Sequence, residues 1–153
     1  MCGLAGYLES TQQDENVPYR MAAELVHRGP DDGNVWYDQK AGIALIHRRL
    51  SILDLSSAGK QPMHSACGRY TVAYNGEIYN HQNLRRQLEN HGDIGGWISS
   101  SDTETLLAAI NFWGIQGALE RFNGMFAFAL WDHREKKLFL ARDRMGEKPL
   151  YYG

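Results

Sequence analysis

The stretch Met125-Phe126-Ala127-Phe128-Ala129-Leu130-Trp131 is apolar at every position. Because successive side chains of a β-strand point to opposite faces of a sheet, this pattern predicts a strand buried on both faces. Asp132–Lys136 predicts a polar turn, and Leu138–Arg142 predicts a returning strand. Burial on both faces favours two sheets stacked between layers of helices, although a single sheet covered by helices has similar periodicity.

The remaining segments supply further strands and amphipathic helices for this arrangement. The predicted strands are residues 2–8, 34–38, 42–47 continuing toward Ile52, and 70–74, which Asn75-Gly76 closes. The predicted helices cover residues 17–27, 81–90 with Asn80 as its cap, and a segment from Ser101 to near Gly114. Ser101-Asp102-Thr103-Glu104 has the form of a capping box. Residues 56–68 are expected to form a loop.

Composition narrows the class of protein. The 153 residues suit one domain, and 43% hydrophobic with 22% charged residues is ordinary for a globular protein. The net charge of −2 gives no indication that the protein binds nucleic acid or an anionic membrane. Two cysteines make no disulfide framework, and the sequence has neither a secretory signal nor an apolar run near 18 residues. We therefore expect a reducing, cytoplasmic location.

Cys2 directly follows the initiator Met1. If Met1 is removed, which a small second residue permits, Cys2 carries both a thiol and a free α-amine. An α-amine titrates near pH ~8, so its neutral fraction can accept the thiol proton as sulfur attacks a carbonyl. The alternative is a small buried hydrophobe, the usual state of a free cysteine.

Asn75-Gly76 is a second candidate for chemistry. The Asn75 side chain can donate from its amide, and Gly76 allows its backbone N–H to approach a ligand closely. Two converging donors can stabilise an oxyanion. The same dipeptide is also a strong signal for a hairpin turn, and both interpretations stay open at this point.

Three charged residues are candidates for binding a substrate. Arg49, at the end of a predicted strand, can bind a carboxylate through two parallel hydrogen bonds, and Asp102 and Glu77 can accept from an ammonium group. The alternatives are an exposed arginine at a strand end and an acid favoured by the dipole at a helix start. His64-x-x-Cys67 lacks the second pair that a structural metal site needs, so no metal is expected. No phosphate-binding G-x-x-x-x-G-K-[ST] loop is present.

Taken together, these motifs resemble the glutaminase domain, a class II glutamine amidotransferase, of glutamine-hydrolysing asparagine synthetases. The matching segments cover nearly the whole chain and occur in family order: Met1-Cys2-Gly3, His27–Asp31, His47–Leu53, Asn75–His81, Ser101–Glu104, Phe122–Ala129 and Arg142–Tyr152. The approach to Asp102 through Gly95–Ser100 departs from the family pattern. Arg48 is a neighbouring cation, and Arg49 is chosen because it precedes Leu50-Ser51-Ile52.

The resemblance implies an N-terminal-nucleophile hydrolase fold, an α+β four-layer αββα sandwich, over residues 2–153 after removal of Met1. Cys2 would attack the side-chain amide of glutamine, and Asn75 with the Gly76 N–H would hold the oxyanion. The implied substrate-binding residues are Arg49 for the α-carboxylate, Glu77 and Asp102 for the α-ammonium, and Leu50, Ser51, Ile52 and Leu53 along the substrate.

The resemblance also implies a partner. Family members pass ammonia to a synthetase domain of the same polypeptide, which uses ATP and Mg²⁺ to amidate aspartate or a related carboxylate. This chain has no Ser-Gly-Gly-x-Asp-Ser pyrophosphate loop, so that domain is absent from it and no cofactor is expected in this domain. Alternative functions are an N-terminal-nucleophile amidase for another amide, and a catalytically silent regulatory or interaction domain.

Overall fold

A computed structural model describes residues 2–9, 14–50, 59–92 and 95–153. Within these residues the chain forms seven strands and three helices. In chain order they are β1 Gly3–Leu8, α1 Val17–Glu24, β2 Asp32–Asp38, β3 Ile43–Arg49, β4 Met63–His64, β5 Tyr70–Ile78, α2 His81–His91, α3 Asp102–Arg121, β6 Gly124–Asp132 and β7 Lys137–Arg142.

The described strands form two antiparallel sheets. The first has the order β1-β3-β2, and the second has the order β4-β5-β6-β7. In the first sheet Gly3 pairs with Arg48, and Asp32 pairs with Arg49. The start of β1 therefore lies beside the end of β3, which brings Cys2 next to the predicted substrate-binding arginine.

The sheets stack face to face, with β1 and β3 against β5, and helices cover their outer faces. Helix α1 packs on the first sheet, while α3 packs on the second sheet and against α2. The layer order is thus α-β-β-α, as predicted. One core lies between the sheets and the other beneath α2 and α3. The buried residues of the core between the sheets are Ile43, Leu45, Ala73, Ala129 and Trp131.

Strand β6 confirms the prediction made from its uninterrupted apolar pattern. Every residue from Phe126 to Asp132 is buried. Phe128 and Leu130 belong to the core beneath the helices, whereas Ala129 and Trp131 belong to the core between the sheets. One strand therefore contributes to both cores by alternation of its side chains.

Two helix ends differ from the prediction. Helix α1 ends at Glu24 rather than near residue 27, because the N–H groups of Leu25 and Val26 donate to carbonyls only three residues back and tighten the chain into a turn. Helix α3 reaches Arg121 instead of ending near Gly114. Gly114 still breaks the helical geometry, with φ 74° and ψ 169°, so the predicted break is present but the chain resumes a helix after it.

Two further differences concern β5 and the predicted caps. Asn75-Gly76 does not close β5, which pairs with β6 as far as Ile78 opposite Gly124. The Asn80 side chain does not cap α2. Its Nδ2 donates to the Arg121 carbonyl at 2.9 Å, and its Oδ1 accepts from the Asn123 N–H at 3.0 Å, which ties α2 to the end of α3. The predicted loop before β5 also contains the short strand β4.

Candidate active site

The sequence-predicted residues meet at a cleft where β1, β3, β5 and the start of α3 converge. This Cys2 cleft has a volume of about 530 Å³, within the range of small-molecule sites. The predicted residues that line it are Cys2, Arg49, Leu50, Asn75, Gly76, Glu77 and Asp102. The other predicted residues, Ser51, Ile52 and Leu53, lie outside the described residues. The shared cleft brings the candidates together, and their individual roles stay predictions.

Strand β5 presents to this cleft one backbone N–H that has no acceptor among the described residues. The Tyr79 N–H donates to the carbonyl of Asn123, the residue that precedes β6, at 2.8 Å. In an antiparallel strand, the N–H groups of every second residue point toward the same neighbouring strand. Because the Tyr79 N–H points toward β6, the N–H groups of Tyr74, Gly76 and Ile78 point away from it. Tyr74 N–H donates to Gln61 Oε1 at 2.7 Å, and Ile78 N–H donates to Asp102 Oδ2 at 2.8 Å.

Gly76 lies between these two bonded positions on the same edge of β5. Among the described residues, none accepts a hydrogen bond from its N–H. Asn75, the preceding residue, is buried and lines the same cleft. An unpaired backbone donor beside a side-chain amide is the arrangement that an oxyanion hole requires.

Sterics explain why glycine occupies position 76. A Cβ there would collide with the carbonyl oxygen of Met125 and would lie 2.6 Å from Phe126 Cα. Gly76 is therefore needed for the close approach of β5 to β6 as well as for access to its N–H. This pairing also excludes the hairpin-turn interpretation of Asn75-Gly76, since both residues lie within the strand.

The two neighbouring arginines have different surroundings. Arg48 Nε donates to the Gly29 carbonyl at 2.9 Å, outside the Cys2 cleft. Gly29 lies directly against the backbone of Arg48 and Arg49, where a Cβ would clash, and Asp31 N–H donates to the Arg49 carbonyl at 3.2 Å. The His27–Asp31 segment thus secures the end of β3. Arg49 lines the cleft, which supports its choice over Arg48.

Asp102 begins α3 and is held from the side of β5. Its Oδ2 accepts from the Tyr74 hydroxyl at 2.6 Å and from the Ile78 N–H at 2.8 Å. Burial raises the pKa of Tyr74, and the negative charge of Asp102 raises it further, so the phenol remains a donor. Ser101 Oγ caps the helix by accepting from Thr103 N–H at 3.1 Å. Oδ1 of Asp102 accepts no hydrogen bond from any described residue.

Glu77 differs from Asp102 in its exposure. Glu77 is exposed at the margin of the cleft, opposite Met125 in the sheet. Asp102 is half-buried and already accepts two hydrogen bonds. The better fixed acceptor is therefore Asp102.

The cleft also contains residues that the sequence did not single out. Gln61 is buried and joins β5 to α3, because its Oε1 accepts from Tyr74 N–H while its Nε2 donates to Thr103 Oγ1 at 3.3 Å. His47 is 2% exposed, and burial lowers its pKa to about 4, helped by the positive charge of Arg49. Lys148 lines the cleft as well. Tyr74 and His47 lie in apolar strand patterns, and Gln61 lies in a predicted loop.

No three His, Cys, Asp or Glu side chains in the described part of the chain are grouped so that they could hold a metal ion. Among those same residues, no helix has both the length and the apolar character needed to cross a membrane.

Comparison with known proteins agrees with this geometry. Residues 1–153 match the family model described as a glutamine amidotransferase domain. The chain belongs to this family. Among curated relatives, asparagine synthetase [glutamine-hydrolyzing] 3 of Bacillus subtilis is 40% identical, with 99% of this chain and 25% of the relative covered. Amidase chry2 of Gibberella zeae is 38% identical, with 84% of this chain and 18% of the relative covered.

A solved structure supports the fold of this glutamine amidotransferase domain. It is the glutamine phosphoribosylpyrophosphate amidotransferase of B. subtilis, complexed with ADP and GMP, which matches with a TM-score of 0.54 and 24% identity. The match covers 79% of this chain and 26% of that chain. The predicted N-terminal-nucleophile hydrolase fold and the resemblance to asparagine synthetase glutaminase domains are both confirmed. The chain spans about a quarter of the length of the asparagine synthetase that it matches.

Proposed function

We propose that this chain hydrolyses L-glutamine to L-glutamate and ammonia, with Cys2 as the nucleophile after removal of Met1. The observation that carries the proposal is the open N–H of Gly76, which lies between two occupied donors of β5 in the cleft that Cys2 also lines. Membership of the glutamine amidotransferase family adds support from an independent source.

The reaction proceeds in two halves. The Cys2 α-amine accepts the thiol proton as sulfur attacks the side-chain amide carbon of glutamine. The Asn75 amide and the Gly76 N–H stabilise the resulting oxyanion. The carbon–nitrogen bond then breaks, and the α-ammonium returns its proton to the departing ammonia. Water attacks the γ-glutamyl thioester with the α-amine again as base, and the thiol is regenerated as glutamate leaves.

Charged groups in the cleft select the amino-acid head of the substrate. Arg49 binds the α-carboxylate, and Asp102 binds the α-ammonium through the oxygen that faces no described donor. Glu77 provides a second acceptor at the exposed margin. Leu50, which lines the cleft, borders the substrate chain. A cation and an acid in one cleft favour a free amino acid over a simple amide.

The ammonia acceptor belongs to a second domain. We propose that the chain works with a synthetase domain of the same polypeptide, where ATP and Mg²⁺ support amidation of aspartate or a related carboxylate. The support is coverage, because this chain aligns over 99% of its length with only 25% of an asparagine synthetase. A cytoplasmic location stays a prediction.

The test compares the two cysteines of the chain. Intact mass first establishes that Met1 is absent, and glutamate release from glutamine is then measured for wild type, Cys2→Ala and Cys67→Ala. Cys67 is exposed outside the cleft and serves as the matched control. We expect Cys2→Ala to abolish glutamate release and Cys67→Ala to retain it within about twofold, because only Cys2 carries both nucleophile and base.

A glutamine-like electrophile, 6-diazo-5-oxo-L-norleucine, provides a second measurement. We expect stoichiometric labelling of wild type and none of Cys2→Ala. Glutamate release that persists in Cys2→Ala would overturn the proposed mechanism. Hydrolysis of other amides in preference to glutamine would instead indicate the broader amidase, and an unreactive Cys2 would indicate a silent domain.

A further inference from the structure

Arg85 of α2 is a buried arginine outside the Cys2 cleft that contacts the segment leading to Asp102. Its side chain is 9% exposed. Nη1 donates to the Ser99 carbonyl at 2.8 Å, Nη2 donates to the Ser101 carbonyl at 2.7 Å, and Nε donates to Thr105 Oγ1 at 2.8 Å. One guanidinium thus binds two carbonyls before Asp102 and one hydroxyl in the first turn of α3.

Glu104 holds the same segment from α3. Its carboxylate accepts from the N–H groups of Ile98 and Ser99, each at 2.8 Å, and lies 3.6 Å from Arg85 Nη2. Glu104 therefore does not complete the predicted capping box with the Ser101 N–H, which donates to Ser99 Oγ at 3.2 Å. The Arg85 guanidinium also lies over the Trp97 ring, 4.1 Å from its centroid.

These contacts have a direct connection to the cleft. Ser100 and Ser101 line it, and Ser101 is the cap residue that precedes Asp102. Arg85 binds the carbonyls on both sides of Ser100, so the backbone path into Asp102 is fixed by the guanidinium. This explains how the segment Gly95–Ser100 delivers Asp102 to the cleft.

On the basis of the glutaminase function proposed above, we propose that Arg85 is a positioning residue for the α-ammonium pocket. It acts through Ser101 and Asp102 without contacting the substrate. Lysine cannot replace it, since a single ammonium cannot bind three acceptors in the planar fork geometry of a guanidinium. Loss of the fork loosens Asp102 and weakens binding of the substrate ammonium, while Cys2, Asn75 and Gly76 on the other elements keep their places.

The test uses substrates that differ only in the α-ammonium. Hydrolysis of L-glutamine and of glutaramate, which lacks the α-amino group, is measured for wild type, Arg85→Met and Arg85→Lys. Arg86→Met is the matched control, because Arg86 is the exposed neighbour on the same helix. We expect both Arg85 variants to lower kcat/KM for glutamine by about tenfold, mainly through KM, because a charge-assisted contact is weakened. We expect kcat/KM for glutaramate to change by less than about twofold.

A proportional loss for both substrates, or no loss for either, in a folded Arg85 variant would overturn the inference. Circular dichroism establishes folding, and Arg85→Lys provides the measurement if Arg85→Met does not fold. Calorimetric affinities for L-glutamate and for glutarate give the same comparison without turnover. If the wild-type protein binds L-glutamate but does not produce glutamate from glutamine, the proposed function is wrong. The affinities for L-glutamate and glutarate still test the role of Arg85 in that case.

Discussion

His47 lies on the same face of β3 as Arg49, since residues two apart in a strand point the same way. Its Nε2 is buried and has no hydrogen-bond partner among the described residues. Burial lowers its pKa to about 4; Arg49 contributes in the same direction, whereas the Tyr74 backbone and Asp32 oppose the shift. The imidazole is therefore neutral at physiological pH, and a proton on it would add a buried charge beside Arg49.

This pKa predicts how stability depends on pH. The unfolded His47 takes up a proton near pH 6.5, whereas the folded imidazole does so only near pH 4. Its contribution to the free energy of unfolding is complete above pH 6.5 and is lost as pH falls toward 4, by up to about 3 kcal/mol. Urea unfolding at pH 7.5 and 4.5 should show a larger loss in wild type than in His47→Asn. Equal losses would contradict the pKa assignment.

Individual site residues differ in how far the sequence could reveal them. Cys2, Asn75 and Arg49 occur in short motifs whose spacing is readable along the chain. Gln61 contacts Thr103, which lies 42 positions along the chain, and Tyr74 contacts Asp102, which lies 28 positions along the chain. Local pattern carries no information on such pairs, so their place in the site emerges only from the tertiary structure.

At the scale of elements, β5 illustrates a local signal overridden by pairing. Asn75-Gly76 indicates a turn in isolation, yet nine residues of β5 pair continuously with β6. Gly76 permits this because its missing side chain leaves room for the Met125 carbonyl. In α3, by contrast, the local signal is present in the structure. Gly114 was predicted to end the helix and does interrupt it, and the residues after it form a second helical stretch.

The close approach at Gly76 predicts a specific cost for alanine. Gly76→Ala should push β5 away from β6 and lower the free energy of unfolding by about 1–3 kcal/mol, as overpacking does. Gly92→Ala is the control, because a Cβ at Gly92 meets nothing within 4 Å and its φ of 163° is extended. Urea unfolding of both variants checks this, and equal stabilities would show that the sheet yields without strain.

At the scale of the whole molecule, the central strands connect the two cores. Ala73 and Ala129 face the core between the sheets, while Val72, Tyr74 and Phe128 face the core beneath the helices. The sequence predicted this burial on both faces from residues 125–131. It did not reveal the strand orders β1-β3-β2 and β4-β5-β6-β7, because those depend on pairings between distant segments.

Strands shared by both cores predict a single cooperative unfolding transition. Far-UV circular dichroism and tryptophan fluorescence should give the same urea midpoint for wild type. Leu45→Ala between the sheets and Leu106→Ala beneath the helices should each lower the free energy of unfolding by about 2–5 kcal/mol without splitting the transition. Two separate midpoints in any of these proteins would show that the layers unfold independently.

The part of β5 that extends beyond β4 also bears on aggregation. An unpaired sheet edge is a template on which another chain can add a strand. Beyond its pairing with β4, β5 has three N–H groups that point away from β6, and two of them, at Tyr74 and Ile78, donate to the side chains of Gln61 and Asp102 rather than to a strand. The remaining donor, at Gly76, is too isolated to start a ladder. The same side chains that define the cleft therefore keep another strand from adding to this part of β5.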